Sequence, residues 1–327
     1  MQSKNEMIGL TTTVPVEIIL AAGYTPVDMN NIFMSSDNPA LAIDKAEDFG
    51  FPGNSCGFIK GIFSSVFNKS IKKVIAPVWG DCSNTHALCQ ILKGQNIEVI
   101  EFAYPWDRRA EKLKSEMERL CEYFGIGFEQ AEKYYNKLKT IRQALKRLDD
   151  MTVDGRVTGE ENFSYLISSS DFNGDTEKYM RALNTFLQTA SERKPGLSGK
   201  RLAILGVPPI FTDLHSVLSE FGAQTVYNEV VYEFAMIRSL DIPFVDCYIN
   251  YTYPYGMENR LKVILPELKR RKIDGVVHYT QCFCFRQIED ILLRQNIDIP
   301  VLTIEGDRPG PVDARTRMRI ENFMELL

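Results

Sequence analysis

Residues 73–93 read KVIAPVWGDCSNTHALCQILK, and the rest of the chain can be parsed outward from them. Lys73–Val78 is a short apolar run of strand length, and VWGDCSN is a loop. Asn84–Lys93 has helical spacing with Asn84 as N-cap, and Glu98–Ala103 is strand-like again. Strand, helix and strand at these lengths imply parallel pairing through a right-handed crossover. The same rhythm precedes them. Ile8–Val14 and Tyr24–Met29 read as strands, and Cys56–Asn68 reads as a helix. Pro15–Gly23 is a helix opened by Pro and closed by Gly.

Farther on the character changes. From Arg108 to about Leu148 there is almost no Gly or Pro, and charged and apolar residues alternate at helical spacing. Gly125–Gly127 divides this stretch into two long helices. Val153–Glu161 is polar, and Asp175–Ser191 is helical again. ERKPGLSG, residues 192–199, is the linker candidate. The α/β rhythm then returns. Arg201–Val207, Gln224–Asn228, Ile273–Tyr279 and Pro300–Ile304 are the strands, and Thr212–Phe221, Gln287–Gln295 and Ala314–Leu327 the helices. The expected fold is α/β, with two Rossmann-like or flavodoxin-like parallel-sheet lobes flanking a helical insert. The expected divisions are 1–107, 108–195 and 196–327. Cofactors in such folds sit outside the carboxyl ends of the strands.

Composition narrows the function. The 327 residues are 44% hydrophobic and 25% charged, which is ordinary for globular chains. A net charge of −5 argues against nonspecific nucleic-acid binding, because no basic excess displaces counterions from phosphates. No apolar run approaches the roughly 20 residues of a membrane helix, and the start is not read as a signal peptide, being broken by Thr11–Thr13 and Pro15. A cytoplasmic location is the expectation. In that reducing compartment seven cysteines point to metal or redox chemistry rather than disulfides.

The cysteines fall in a pattern. Cys56 opens a helix in GNSCGFIKG, Cys82 follows the strand KVIAPV, and Cys89 lies two turns into the next helix. Cys282 and Cys284 follow the strand DGVVHY, and Cys247 sits in PFVDCYINY, read as loop or short strand. Strand ends and helix starts favour thiolates and anionic clusters. The spacing fits neither a zinc ribbon nor a ferredoxin, and ligands scattered over both lobes imply a site at the lobe interface. Cys121, inside the charged helix ERLCEYFG, is read as a core residue.

With these residues in place, the chain resembles the D-component superfamily of 2-hydroxyacyl-CoA dehydratases and benzoyl-CoA reductases over nearly its whole length. The resemblance rests on Cys56 in SCGFIKG, Cys82 in IAPVWGDC, the run from His278 and Tyr279 into Cys282 and Cys284, and the ending IPVLTIEGDRPGPVDARTRMRIENFMELL. Ordinary members are expected to give three cysteines to one cubane. The additional Cys89, Cys247 and second cysteine of the 282/284 pair make the chain similar to the double-cubane branch. That resemblance implies an [8Fe-9S] double-cubane cluster between the lobes, held by Cys56, Cys82, Cys89, Cys247, Cys282 and Cys284. A single [4Fe-4S] cluster is the alternative.

It also implies a homodimer served by a separate ATP-hydrolysing iron–sulfur activator. This chain has no nucleotide site of its own. Near Gly199–Lys200, Lys194 stands where a P-loop needs its first Gly and Arg201 where it needs Ser or Thr, and no GxGxxG follows a strand. The leading function is ATP-dependent, low-potential reduction of a small molecule. A 2-hydroxyacyl-CoA dehydratase subunit and a non-catalytic electron-storage or cluster-transfer protein are the alternatives.

Other residues complete the expectations. His86, between Cys82 and Cys89, is a candidate for proton relay, with an exposed helix histidine as the bland reading. His278 is assigned a structural hydrogen bond. Glu305 is the candidate cleft acid with Asp307 beside it, and Asp81 and Asp246 are candidates to orient the cysteine loops, all four also readable as solvated carboxylates. Lys60 and Arg286 are candidates to offset cluster charge. Tyr248–Tyr255 is a candidate wall for a small-substrate pocket, or half-buried packing. His215 receives no role.

Overall fold

Alternating apolar strands and amphipathic helices build two sheets from the two ends of the chain. The computed structural model describes residues 6–80, 82–196, 198–238 and 240–327. The first half runs β1 (Met7–Leu10), α1 (Val16–Ala21), β2 (Thr25–Asp28), α2 (Met29–Met34), α3 (Pro39–Phe49), α4 (Gly57–Asn68), β3 (Lys73–Trp79), α5 (Ser83–Gly94) and β4 (Glu98–Ala103). Four helices follow: α6 (Ala110–Tyr123), α7 (Phe128–Val153), α8 (Gly159–Ile167) and α9 (Thr176–Ser191). The second half runs β5 (Lys200–Gly206), α10 (Leu214–Glu220), β6 (Ala223–Asn228), α11 (Glu229–Phe234), α12 (Phe244–Asn250), α13 (Met257–Arg270), β7 (Gly275–Gln281), α14 (Asp290–Asn296), β8 (Val301–Gly306) and α15 (Ala314–Leu326).

Both sheets are four-stranded and wholly parallel. Their orders are β2-β1-β3-β4 and β6-β5-β7-β8, the same topology twice. Each sheet therefore has one switch point, between β1 and β3 in the first and between β5 and β7 in the second. Connections leave such a pair in opposite directions, opening a crevice beyond the carboxyl ends of its strands. The expected α/β class with two parallel sheets is what the chain adopts.

Two expectations about elements need correction. PFVDCYINY is not loop or strand: Cys247 lies in the helix α12, whose β-branched and aromatic residues pack against other helices. Asn84 does not cap α5. Cys82 is its N-cap and Ser83 its first helical residue.

The apolar core is shared along the chain. One cluster joins Ile8, Leu10 and Ile75 of the first sheet, Leu113, Leu138 and Leu183 of the middle helices, and Ala203, Leu205 and Val276 of the second sheet. Phe33, Ala42 and Ile43, on α2 and α3, join the core of the second sheet with Leu202, Ile204 and Val277. Three buried ion pairs stitch the helices in. Arg142 meets Glu17 at 2.6 Å, Arg271 meets Asp149 at 2.7 Å, and Arg260 meets Glu229 at 2.6 Å.

Candidate functional site: a thiol-lined cavity at two switch points

Both crevices open into one cavity of about 520 Å³. Its walls come from the turns that follow the central strands: Thr11 and Thr12 after β1, Cys82 after β3, Val207–Pro209 after β5, and Gln281 and Cys284 at and beyond the end of β7. Asp28, Asn30, Asn31 and Cys56 complete the side of the first lobe. Phe163, Phe211, His215, Phe234, Tyr253 and Phe285 give the other side an aromatic lining.

Three thiols line this cavity, and each occupies the same structural position. Cys56 is the N-cap of α4, Cys82 the N-cap of α5, and Cys284 the N-cap of the short 3₁₀ helix Phe285–Glu289. Helix N-termini carry partial positive charge and unsatisfied N–H groups, which favour thiolate over thiol. The local backbone holds the thiols there. Phe283, between Cys282 and Cys284, is left-handed at φ +62° and breaks the alternation that would put both cysteines on one face. A Cβ on Gly57, next to Cys56, would come within 2.6 Å of the Asp307 carbonyl oxygen, so only glycine permits this approach of the two halves.

The other cysteines stand apart from the cavity wall. Cys89 is buried on α5, seven residues and roughly 10 Å along the helix axis from Cys82. Cys247 is deep in the core on α12, its thiol donating to Met236 Sδ at 3.8 Å, and burial pushes that thiol's pKa up. Cys282 lies beside Glu305, and burial together with that carboxylate pushes its thiol up to about 12. Cys121 is in the core, pushed up to about 11 by burial. The six expected ligands are therefore not all on one wall: Cys56, Cys82 and Cys284 line the cavity, Cys282 is off the wall but near enough to Cys56 to interact electrostatically, and Cys89 and Cys247 are not among the lining residues.

The candidate acids and bases also separate from the cavity. His86 is exposed on α5 and faces Glu101 of β4 electrostatically rather than the cavity. Glu305 is exposed at the end of β8 and accepts a bond from Gln287 Nε2. Asp307 is exposed, and its carbonyl accepts from Gln281 Nε2 at 2.8 Å. Asp246 sits in the first turn of α12, where it complements the helix dipole. Asp81 lies outside the described residues. Lys60 is committed to Glu47 at 2.7 Å and to the Gly53 carbonyl. Arg286 lines the cavity near Cys284 and is paired with Glu289 and the Tyr253 carbonyl. His278 is fully buried, with Nδ1 bonded to Asp290 Oδ1 at 2.7 Å, the structural hydrogen bond expected of it. Of the aromatic run, Tyr253 lines the cavity, and Tyr248 bonds Glu17 in the core.

Sequence reasoning missed Asp28 and His215, both on the cavity. Asp28 ends β2 and caps α2, accepting from Asn30 N, and its own N–H donates to Asp171 Oδ2 at 2.7 Å. Burial raises the pKa of both acids, and burial with the neighbouring Asp28 pushes Asp171 up to about 7. Burial therefore disfavours the charged form of both carboxyls, Asp28 on the cavity wall and Asp171 behind it. Asp28 ends the edge strand β2 and His215 lies in a helix, so the switch-point rule, which marks the ends of the central strands, singles out neither.

The donor set suits an iron–sulfur cluster. Soft sulfur ligands stand at three electropositive helix ends around one largely apolar cavity. Among the described residues no three His, Cys, Asp or Glu side chains converge on a single ion, as a mononuclear chelate would require.

Fold and site together define an α/β protein of two parallel sheets, with three cysteines lining one cavity beyond the carboxyl ends of the strands. The chain belongs to the family of the 2-hydroxyglutaryl-CoA dehydratase D-component, whose profile matches residues 11–327. Members of this family use iron–sulfur clusters and act with an activator partner. Among curated proteins none matches the chain. No helix among the described residues is long and apolar enough to cross a membrane.

Proposed function

We propose that the chain is the cluster-bearing component of a 2-hydroxyacyl-CoA dehydratase-type enzyme, holding one [4Fe-4S] cluster through Cys56, Cys82 and Cys284. The observation that carries this reading is the placement of those three cysteines at helix N-caps around one cavity. When bound, such a cluster supplies low-potential one-electron chemistry. The double-cubane and electron-storage readings are less favoured, because Cys89 and Cys247 lie off the cavity and a cavity of this size suits a substrate.

The chain's own residues supply the remainder. Arg286 stands beside Cys284 with its charge matched by Glu289, and it fixes this end of the cavity by donating to the Tyr253 carbonyl. Asp28, whose backbone N–H donates to Asp171, is the acid on the cavity wall placed to exchange a proton, whereas His86 and Glu305 do not line the cavity. Phe163, Phe211 and Phe285 give the cavity an apolar wall on which an apolar substrate group can pack. ATP hydrolysis is assigned to a separate iron–sulfur activator, and the assembly acts in the reducing cytoplasm as a homodimer.

Anaerobic reconstitution tests this function. With an ATP-hydrolysing activator, electron paramagnetic resonance is expected to show a reduced cluster that accumulates only when ATP is present. A chain that takes up no iron, or is reduced equally without ATP, would contradict the proposal.

A further inference from the structure

The cavity wall opposite the first lobe carries an imidazole that no function yet uses. His215 lies in the first turn of α10, lines the cavity and packs on Phe163 with ring centroids 5.4 Å apart. Both of its ring nitrogens are buried, and neither has a hydrogen-bond partner among the described residues. Buried polar groups in folded proteins are almost always paired, so an orphaned pair of nitrogens at a cavity points to a ligand. In this rotamer both nitrogens are covered by protein atoms, and a half-turn about χ2, a broad torsion, carries them to the ring edge that meets the cavity.

Charge decides what kind of ligand. Burial pushes His215 down to about 4, so the ring is neutral at physiological pH and offers one donor and one acceptor without charge. The other ionisable side chains on the wall besides the thiols are Asp28, Glu160 and Arg286. Glu160 is exposed, and Asp28 is an acid. Arg286 is tied to Glu289, which also pairs with Arg260, and Arg260 pairs with Glu229. Two arginines thus balance two glutamates, and no spare cation remains on the described wall. A carboxylate brought inside would meet acids and thiolates in a desolvated space.

We infer that the cavity is selective for an uncharged, largely apolar acyl or aryl group, hydrogen-bonded by the imidazole of His215, and that it rejects a carboxylate-terminated group. This rests on the cavity being the substrate site, and it sets the chain apart from the glutaryl group in its family's name, which ends in a carboxylate. His215 is here a positioning and specificity residue.

Benzamide and benzoate share a shape and differ in charge, and either can be titrated into the full-length chain by ligand-observed NMR with the iron content recorded. Benzamide is expected to bind at least about tenfold more tightly than benzoate, a difference of about 1.4 kcal/mol. His215→Phe keeps the stack on Phe163 and is expected to lose that tenfold for benzamide alone, with unchanged iron content. His215→Gln, which keeps a donor, recovers part of the affinity. Equal or tighter benzoate binding, binding of neither probe, or benzamide affinity indifferent to His215→Phe would each overturn the inference. Iron loading reports separately on the cysteine assignment, so failure of one reading is distinguishable from failure of the other.

Discussion

Burial holds the His215 imidazole neutral down to about pH 4, whereas the same ring in an unfolded chain protonates near 6.5. Between these values the unfolded state binds more protons than the folded one, so stability rises with pH across that window and is lost on acidification through it. His215→Phe removes this dependence. In denaturant titrations from pH 7 to 4, the wild type is expected to lose stability relative to the variant, with the gap opening below about pH 6.5. Parallel curves would mean that His215 is not buried in a neutral form. Asp171, pushed up to about 7, contributes the opposite slope but is present in both proteins and cancels in the comparison. The residue scale is also where sequence reading failed most plainly. Neither an orphaned imidazole nor a carboxyl pair built from residues 28 and 171 has a local signal, because both depend on contacts between distant segments.

At the scale of elements, periodicity carried most of the structure. Lys73–Val78 read correctly as a strand because a buried parallel strand is an apolar run of this length, and Glu98–Ala103 because its apolar residues alternate with exposed Glu98 and Glu101, as on an edge strand. Gly125–Gly127 divided α6 from α7 because glycine ends one helix and polar turn chemistry begins the next. Cys247 was misplaced because FVDCYIN has β-like composition, and the packing of α12 against α6 and α7 overrides that preference. The helices of the middle segment are fastened by ion pairs whose partners are far apart in sequence. Arg271, after α13, binds Asp149 of α7 through two bonds of 2.9 and 2.7 Å and is fully buried. Asp149→Ala leaves that guanidinium with Glu267 and the Val226 carbonyl. It is expected to cost about 3–5 kcal/mol in equilibrium unfolding, since breaking a buried pair strands a charge. A loss below about 1 kcal/mol would show that Glu267 and the Val226 carbonyl suffice.

At the scale of the molecule, one topology used twice explains where the site is. Two sheets of the same strand order put two switch points over one cavity, and cysteines at strand ends and helix starts then line it. The sequence showed the two halves and the cysteines' places along the elements. It did not show which thiols meet, because that depends on how shared core residues such as Phe33 and Ile43 draw the halves together. Counting iron and acid-labile sulfide in the anaerobically reconstituted chain and in single Cys→Ser variants tests the three-thiol assignment most directly. About four irons per chain are expected, as for one [4Fe-4S] cluster, lost in Cys56→Ser, Cys82→Ser and Cys284→Ser and retained in Cys89→Ser and Cys247→Ser. About eight irons, with loss of metal in Cys247→Ser, would contradict it.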